Sequence, residues 1–200
     1  MTLTDLVAPN AVIPALKVNS KKQAIQELAT RAAELTGQNE KAILEILLQR
    51  EKLGSTAVGN GVAIPHGKLP KLGRLFGLFA RLPKSIDFEA LDNQPVDLVF
   101  LLLAPEAAGA DHLKALARVA RQLRDPEIAR RLRESSDADA LYAVLAMPPA
   151  SSAASFSEDA VFRAWRSVNA DCLELLAPCI RDRRLTRIGE HDRRAVCCVE

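Results

Sequence analysis

The feature that most constrains this chain is Val96-Asp97-Leu98-Val99-Phe100-Leu101-Leu102-Leu103-Ala104, an apolar run interrupted by one aspartate. It falls well short of the roughly 18 to 20 residues that cross a bilayer. Its length and its Val, Leu and Phe content fit a strand covered by protein on both faces. Such a strand needs neighbours along its edges and helices above and below, so the rest of the chain must supply both.

The remaining pattern supplies them. Leu3 to Ala8 suits a short helical turn ended by Pro9, and Val12 to Leu16 reads as a strand that Pro14 places near an edge. Ser20 with Gln23 makes a capping box for a helix with Ala24, Ile25, Leu28, Ala32 and Leu35 on one face, stopped by Gly37. A second helix starts after Asn39 and runs through Ile43, Leu44, Leu47 and Leu48 to about Lys52, with Gly54 as its C-terminal cap. Leu75 to Leu82 reads as a strand that Pro83-Lys84-Ser85 turns toward a short segment at Ile86 to Phe88, and Asp92-Asn93-Gln94-Pro95 then turns into the central run. Asp111 is placed to cap a helix with Leu113, Leu116, Ala117, Ala120 and Leu123 on one side. Asp125-Pro126 starts another over Glu127 to Arg133, and Ser136 with Asp139 opens a last helix to about Ala146. The fold class expected is α/β, a mixed central β-sheet sandwiched by helices, because hairpin-like connections favour a mixed sheet over a purely parallel one.

The stretch Gly59-Asn60-Gly61-Val62-Ala63-Ile64-Pro65-His66-Gly67-Lys68 carries the chemistry. A strand from Val62 to Pro65, entered through a glycine turn, delivers His66 to its end. Pro65 holds the chain extended there, and Gly67 offers no side chain to block a visitor's approach to the ring. An imidazole so placed can act as a nucleophile, although a histidine at a strand end is by itself more often structural or merely exposed.

The run Arg50-Glu51-Lys52-Leu53-Gly54-Ser55-Thr56, followed by the histidine stretch through Leu69, resembles the phosphohistidine motif of enzyme IIA domains of the mannitol/fructose type. Within that group it is most similar to the nitrogen-regulatory enzyme IIA of the bacterial phosphotransferase system. Ile86-Asp87-Phe88, Asp92-Asn93-Gln94-Pro95-Val96-Asp97-Leu98 and His112-Leu113 match in order and spacing. The resemblance covers roughly residues 1–147. It implies that His66 is phosphorylated by a histidine phosphocarrier protein, that His112 is the second active-site histidine and donates a hydrogen bond to the phosphate, and that Arg50 holds the same group. It also implies regulated target proteins such as kinases or transporters, and no cofactor. A sugar-transport enzyme IIA of the fructose/mannitol type that passes phosphate to a separate IIB domain is the nearest alternative. A binding module that keeps the fold without phosphotransfer is a further one.

Each assignment has a plainer rival. Arg50 at a helix end also complements the helix dipole, and His112 in a first turn also suits a solvated residue. Ser55 and Thr56 either line the site or bond the local backbone. Lys68 reads as solvated. Glu106, Asp111, His112 and His66 lack the HxxxH or HxH spacing of a metal site, and Gly59-x-Gly61 has no helix after it to make a nucleotide fingerprint.

A net charge of +2 does not call for nucleic acid as a partner, and Met1-Thr2-Leu3-Thr4-Asp5 lacks the basic and apolar pattern of an export signal, so a cytoplasmic location is expected without membrane insertion. Residues 1–147 are expected to form the enzyme IIA domain. Residues 148–157, rich in Pro, Ala and Ser, read as a linker. Residues 158–200 read as a helical or irregular C-terminal extension that the phosphoryl chemistry does not need. All four cysteines, Cys172, Cys179, Cys197 and Cys198, fall in that extension, which argues against a disulfide framework for the main domain. The terminal Cys197-Cys198-Val199-Glu200 makes a poor prenylation box.

Overall fold

A computed structural model describes residues 3–147. The linker and extension expected at 148–157 and 158–200, and their cysteines, lie outside the described residues. The central run forms β6, Val96–Pro105, and no residue from Leu98 to Ala104 is measurably exposed. On one side of β6 lies β5, Phe76–Ile86, antiparallel, with β1, Val7–Ile13, parallel to β5 at the sheet edge. The other side is shared. β3, Val62–Ala63, pairs in parallel with Leu98 and Val99, and β4, His66–Leu69, continues in parallel along Leu102 to Pro105. β2, Ala57–Gly59, forms a hairpin with β3. The described sheet is therefore mixed.

Two groups of helices cover it. α1, Lys21–Thr36, and α2, Glu40–Lys52, pack on each other and on β5 and β4, respectively. α3, Gly109–Leu123, and α4, Pro126–Glu134, pack on β6, while α5, Ala138–Ala146, packs on β1. The caps follow the sequence closely. Ser20 Oγ accepts the Gln23 amide at 3.2 Å, Asn39 Oδ1 accepts the Ala42 amide at 3.1 Å, and Asp125 caps α4 with Pro126 in its first turn. Gly37 ends α1 at φ 68°, a left-handed conformation that favours glycine.

Six local expectations are corrected. Leu53, in a right-handed helical conformation, caps the end of α2, and Gly54 follows it at φ 141°. The first helical turn is confined to Leu3–Asp5, and β1 begins at Val7 rather than Val12, running through Pro9. An edge strand with a register irregularity between Val7 and Val12 tolerates that proline. Pro83 does not end β5. The strand bulges between Arg81 and Ile86, leaves Pro83 exposed, and pairs again at Ile86 with Val96. The strand through Val62 breaks at Ile64-Pro65, so His66 opens β4 instead of closing β3. α3 starts at Gly109 with no side-chain cap, so Asp111 does not cap it, and it is rotated from the expected stripe. Its buried residues are His112, Ala115, Val119, Gln122 and Leu123, while Leu113 is 50% exposed. Asp137, not Ser136, caps α5 by accepting the Ala140 amide at 2.8 Å.

Candidate functional site

The site begins with a glycine. A Cβ on Gly67 would overlap Ile46 Cγ2, so this bare position in β4 admits α2 against the sheet. The space expected for a visitor at Gly67 is occupied by that helix. Arg50 follows Ile46 by one helical turn on the same face and is thereby carried over β4. Its Nε donates to His66 Nε2 at 3.1 Å, and its Nη1 donates to the Gly54 carbonyl at 3.0 Å.

The other ring nitrogen fixes the tautomer. His66 Nδ1 lies 2.8 Å from the Ile64 carbonyl oxygen, which can only accept, so Nδ1 carries the proton and Nε2 carries the lone pair. Burial, the Arg50 guanidinium and, more weakly, His112 push the His66 pKa down to about 4, against the opposing Ile64 carbonyl. At neutral pH the ring is uncharged and nucleophilic.

α3 brings in the third group. The His112 ring centroid is 5.7 Å from that of His66, with the planes tilted by 58°. His112 is only 6% exposed, and its Nε2 is buried with no hydrogen-bond partner among the described residues. Burial, then the charge of Lys68, holds its pKa down to about 4. A polar nitrogen left bare inside a protein costs free energy unless a partner arrives, on the order of 1–3 kcal/mol.

The structure thus brings together Arg50, His66 and His112. Ser55 and Thr56 turn to other work: Ser55 Oγ donates to the Phe88 carbonyl at 2.6 Å, and Thr56 Oγ1 donates to Glu51 Oε2 at 2.7 Å. Lys68 is exposed on β4, two residues from His66. Asp111 pairs with Lys114 at 3.7 Å, and among the described residues no three His, Cys, Asp or Glu side chains gather as a metal-holding group. No described helix is long and apolar enough to cross a membrane. The tautomer-setting Ile64 carbonyl was missed in the sequence because a backbone acceptor has no residue-type signature. The Asp92 turn has a visible purpose. Asp92 Oδ2 accepts the Asn60 amide at 2.9 Å, pinning the hairpin that leads to the histidine.

Comparison with known proteins identifies the family and the fold. Residues 5–147 match the family model described as phosphoenolpyruvate-dependent sugar phosphotransferase system, EIIA 2. A nitrogen regulatory protein of Bradyrhizobium diazoefficiens is 75% identical over 153 residues, covering 76% of this chain and 100% of the relative. The crystal structure of nitrogen regulatory protein IIA-Ntr from Neisseria meningitidis superposes with a TM-score of 0.68 at 33% identity, covering 72% of this chain and 98% of that one. IIA mannitol from Escherichia coli shares the fold, with a TM-score of 0.60 at 22% identity over 70% of this chain and 98% of its own.

Proposed function

Since the chain belongs to the EIIA 2 family of the phosphoenolpyruvate-dependent sugar phosphotransferase system, we propose that His66 accepts a phosphoryl group on Nε2 from the phosphohistidine of a small phosphocarrier protein. The phosphorylation state of His66 then sets affinity for regulated target proteins, kinases or transporters, in nitrogen- or potassium-type regulation. The observation that carries this reading is the convergence of a lone pair, a guanidinium and an unpartnered imidazole nitrogen at one end of β4.

In the transfer, the His66 Nε2 lone pair attacks phosphorus while the donor's N–P bond breaks and its electron pair returns to the donor ring. Nδ1 keeps its proton and goes on donating it to the Ile64 carbonyl, which offsets the positive character the ring gains. Arg50 Nε–H moves from the nitrogen to a phosphoryl oxygen, its guanidinium steadied by Gly54. His112, staying neutral with its one ring proton on Nε2, donates to a second oxygen, which supplies the partner that nitrogen lacks. Each such charge-assisted bond contributes about 1.5 to 3 kcal/mol, and preplaced donors account for most of the acceleration.

Incubation with phosphoenolpyruvate, enzyme I and a phosphocarrier protein tests this. Acid-labile phosphate should form on His66, and His66→Ala should abolish it. Partners captured differently by wild type and a His66 variant would identify the regulated targets. Efficient passage of the group to a separate IIB protein would support the sugar-transport alternative instead. The domain division is part of the same proposal: residues 1–147 contain all that the chemistry requires.

A further inference from the structure

Glu51 is out of place by ordinary helix electrostatics. A carboxylate in the last turn of α2 opposes the helix dipole, and its side chain is only 7% exposed. Burying that charge is unfavourable unless it is fully paired. Lys21, in the first turn of α1, reaches it at 2.8 Å, and the same Nζ lies 2.9 Å from Glu89 and 5.5 Å above the Phe88 ring centroid. Burial works against the lysine charge, yet the two carboxylates hold its pKa above the usual value. Glu51 also accepts the Thr56 amide at 3.1 Å and the Thr56 hydroxyl at 2.7 Å.

From Thr56 the bonding continues to the active ring. The Thr56 carbonyl accepts the Ile64 amide at 2.9 Å, the Ile64 carbonyl accepts His66 Nδ1–H at 2.8 Å, and His66 Nε2 accepts from Arg50 at 3.1 Å. Arg50 precedes Glu51 in the chain, which closes the ring of contacts. Arg50 Nη1 ties in the Gly54 carbonyl between them.

We propose that Glu51, anchored by Lys21, is a positioning residue that sets both the tautomer of His66 and the placement of Arg50, without touching the phosphoryl group itself. One carboxylate holds the two sides of the site in register: the loop that presents the histidine and the helix end that presents the arginine. The proposal rests on the phosphoryl-acceptor reading above but makes a claim that can be read without any phosphoryl donor.

The test uses full-length wild type, Glu51→Ala, Glu51→Gln, Arg50→Gln and the double variant Glu51→Ala/Arg50→Gln. Imidazole titration and tautomer are followed by 15N NMR, alongside the rate of labelling from a phosphocarrier protein. Wild type should show His66 with its proton on Nδ1. In Glu51→Ala the His66 pKa should rise, because the guanidinium is no longer held against the ring, and the Nε2–H tautomer should appear. Labelling should slow roughly ten- to a hundredfold. Glu51→Gln, which still accepts from Thr56, should fall between, and it carries the test if Glu51→Ala does not fold. Adding Arg50→Gln to Glu51→Ala should move the pKa less than Arg50→Gln does alone. Glu51 variants that melt earlier but leave the His66 pKa, tautomer and labelling rate at wild-type values would overturn the proposal. Absence of labelling in wild type would instead remove the phosphoryl reading, while the NMR arms still decide whether Glu51 sets the ring.

Discussion

The two ends of β6 are built on opposite principles. Near Asp97 the structure holds a cavity of ≈ 590 Å³ whose lining includes Asn60, Gln94, Arg124 and Arg133. There the central ion pair is closed: Arg133 grips Asp97 through Nε at 2.7 Å and Nη2 at 2.8 Å, and Nη2 also donates to the Asn60 carbonyl at 2.7 Å. Near Leu102, beside His66, a guanidinium and two imidazoles gather, and among the described residues no carboxylate pairs with either ring. The guanidinium rests on a lone pair, and one buried imidazole nitrogen has no partner among those residues. The contrast teaches that an unsatisfied buried nitrogen, and not concavity, distinguishes the end proposed to react. It also suits a reaction between two proteins, since a half-buried ring at a strand start can be reached by another protein's surface.

Substitutions on the two ends should separate cleanly. The largest effect belongs to the His66 end: Arg50→Gln and His112→Gln should each slow labelling of His66 by about ten- to a hundredfold, from the loss of one charge-assisted bond of about 1.5 to 3 kcal/mol. Rates equal to wild type for both would break the comparison. pH offers a second separation. Both histidines sit near 4 in the fold and near 6.5 when unfolded, so they remain neutral in the native state. Their contribution to stability is complete above about 6.5 and is lost as pH falls toward about 4, because the unfolded chain takes up protons first. Denaturant titrations from pH 7 to 4 should show this slope, and His112→Gln should flatten it. Single-turnover labelling should stay level down to about pH 5.5, whereas an ordinary histidine would already have lost its reactive form to protonation near 6.5.

At the other end, Arg133→Met should lower stability by about 1 kcal/mol and leave labelling unchanged. A labelling rate that falls with it would mean that the two ends are coupled. The smallest effect is expected from removing residues 155–200, which should leave His66 labelling at the full-length rate. Loss of labelling would show that the extension belongs to the site.

The parts of this arrangement that were legible in the sequence are those governed by local chemistry. Composition identified β6, and Ser20, Asn39 and Pro126 marked helix starts, because a cap or a continuous apolar run acts within a few residues. The parts that were not legible depend on what packs from elsewhere. The buried face of α3 includes two polar residues, His112 and Gln122, so an apolar stripe could not locate it. Gln122 Nε2 donates to the Leu145 and Met147 carbonyls at 2.7 and 2.8 Å, far along the chain. Gly67 was legible as a bare position but not as the seat of Ile46, since nothing local says which helix will approach. Arg50, His66 and His112 were named through the resemblance of their motifs, and their convergence became visible only with the fold.

The central claim is that Nε2 of His66 is the atom that carries the group. Correlated 31P and 15N NMR of the phosphorylated, 15N-labelled protein tests it directly. A phosphorus coupled to His66 Nε2, with Nδ1 still protonated and the His112 pKa raised by its new anionic neighbour, is the predicted result. Phosphorus on Nδ1, on His112, or on any other residue would contradict it.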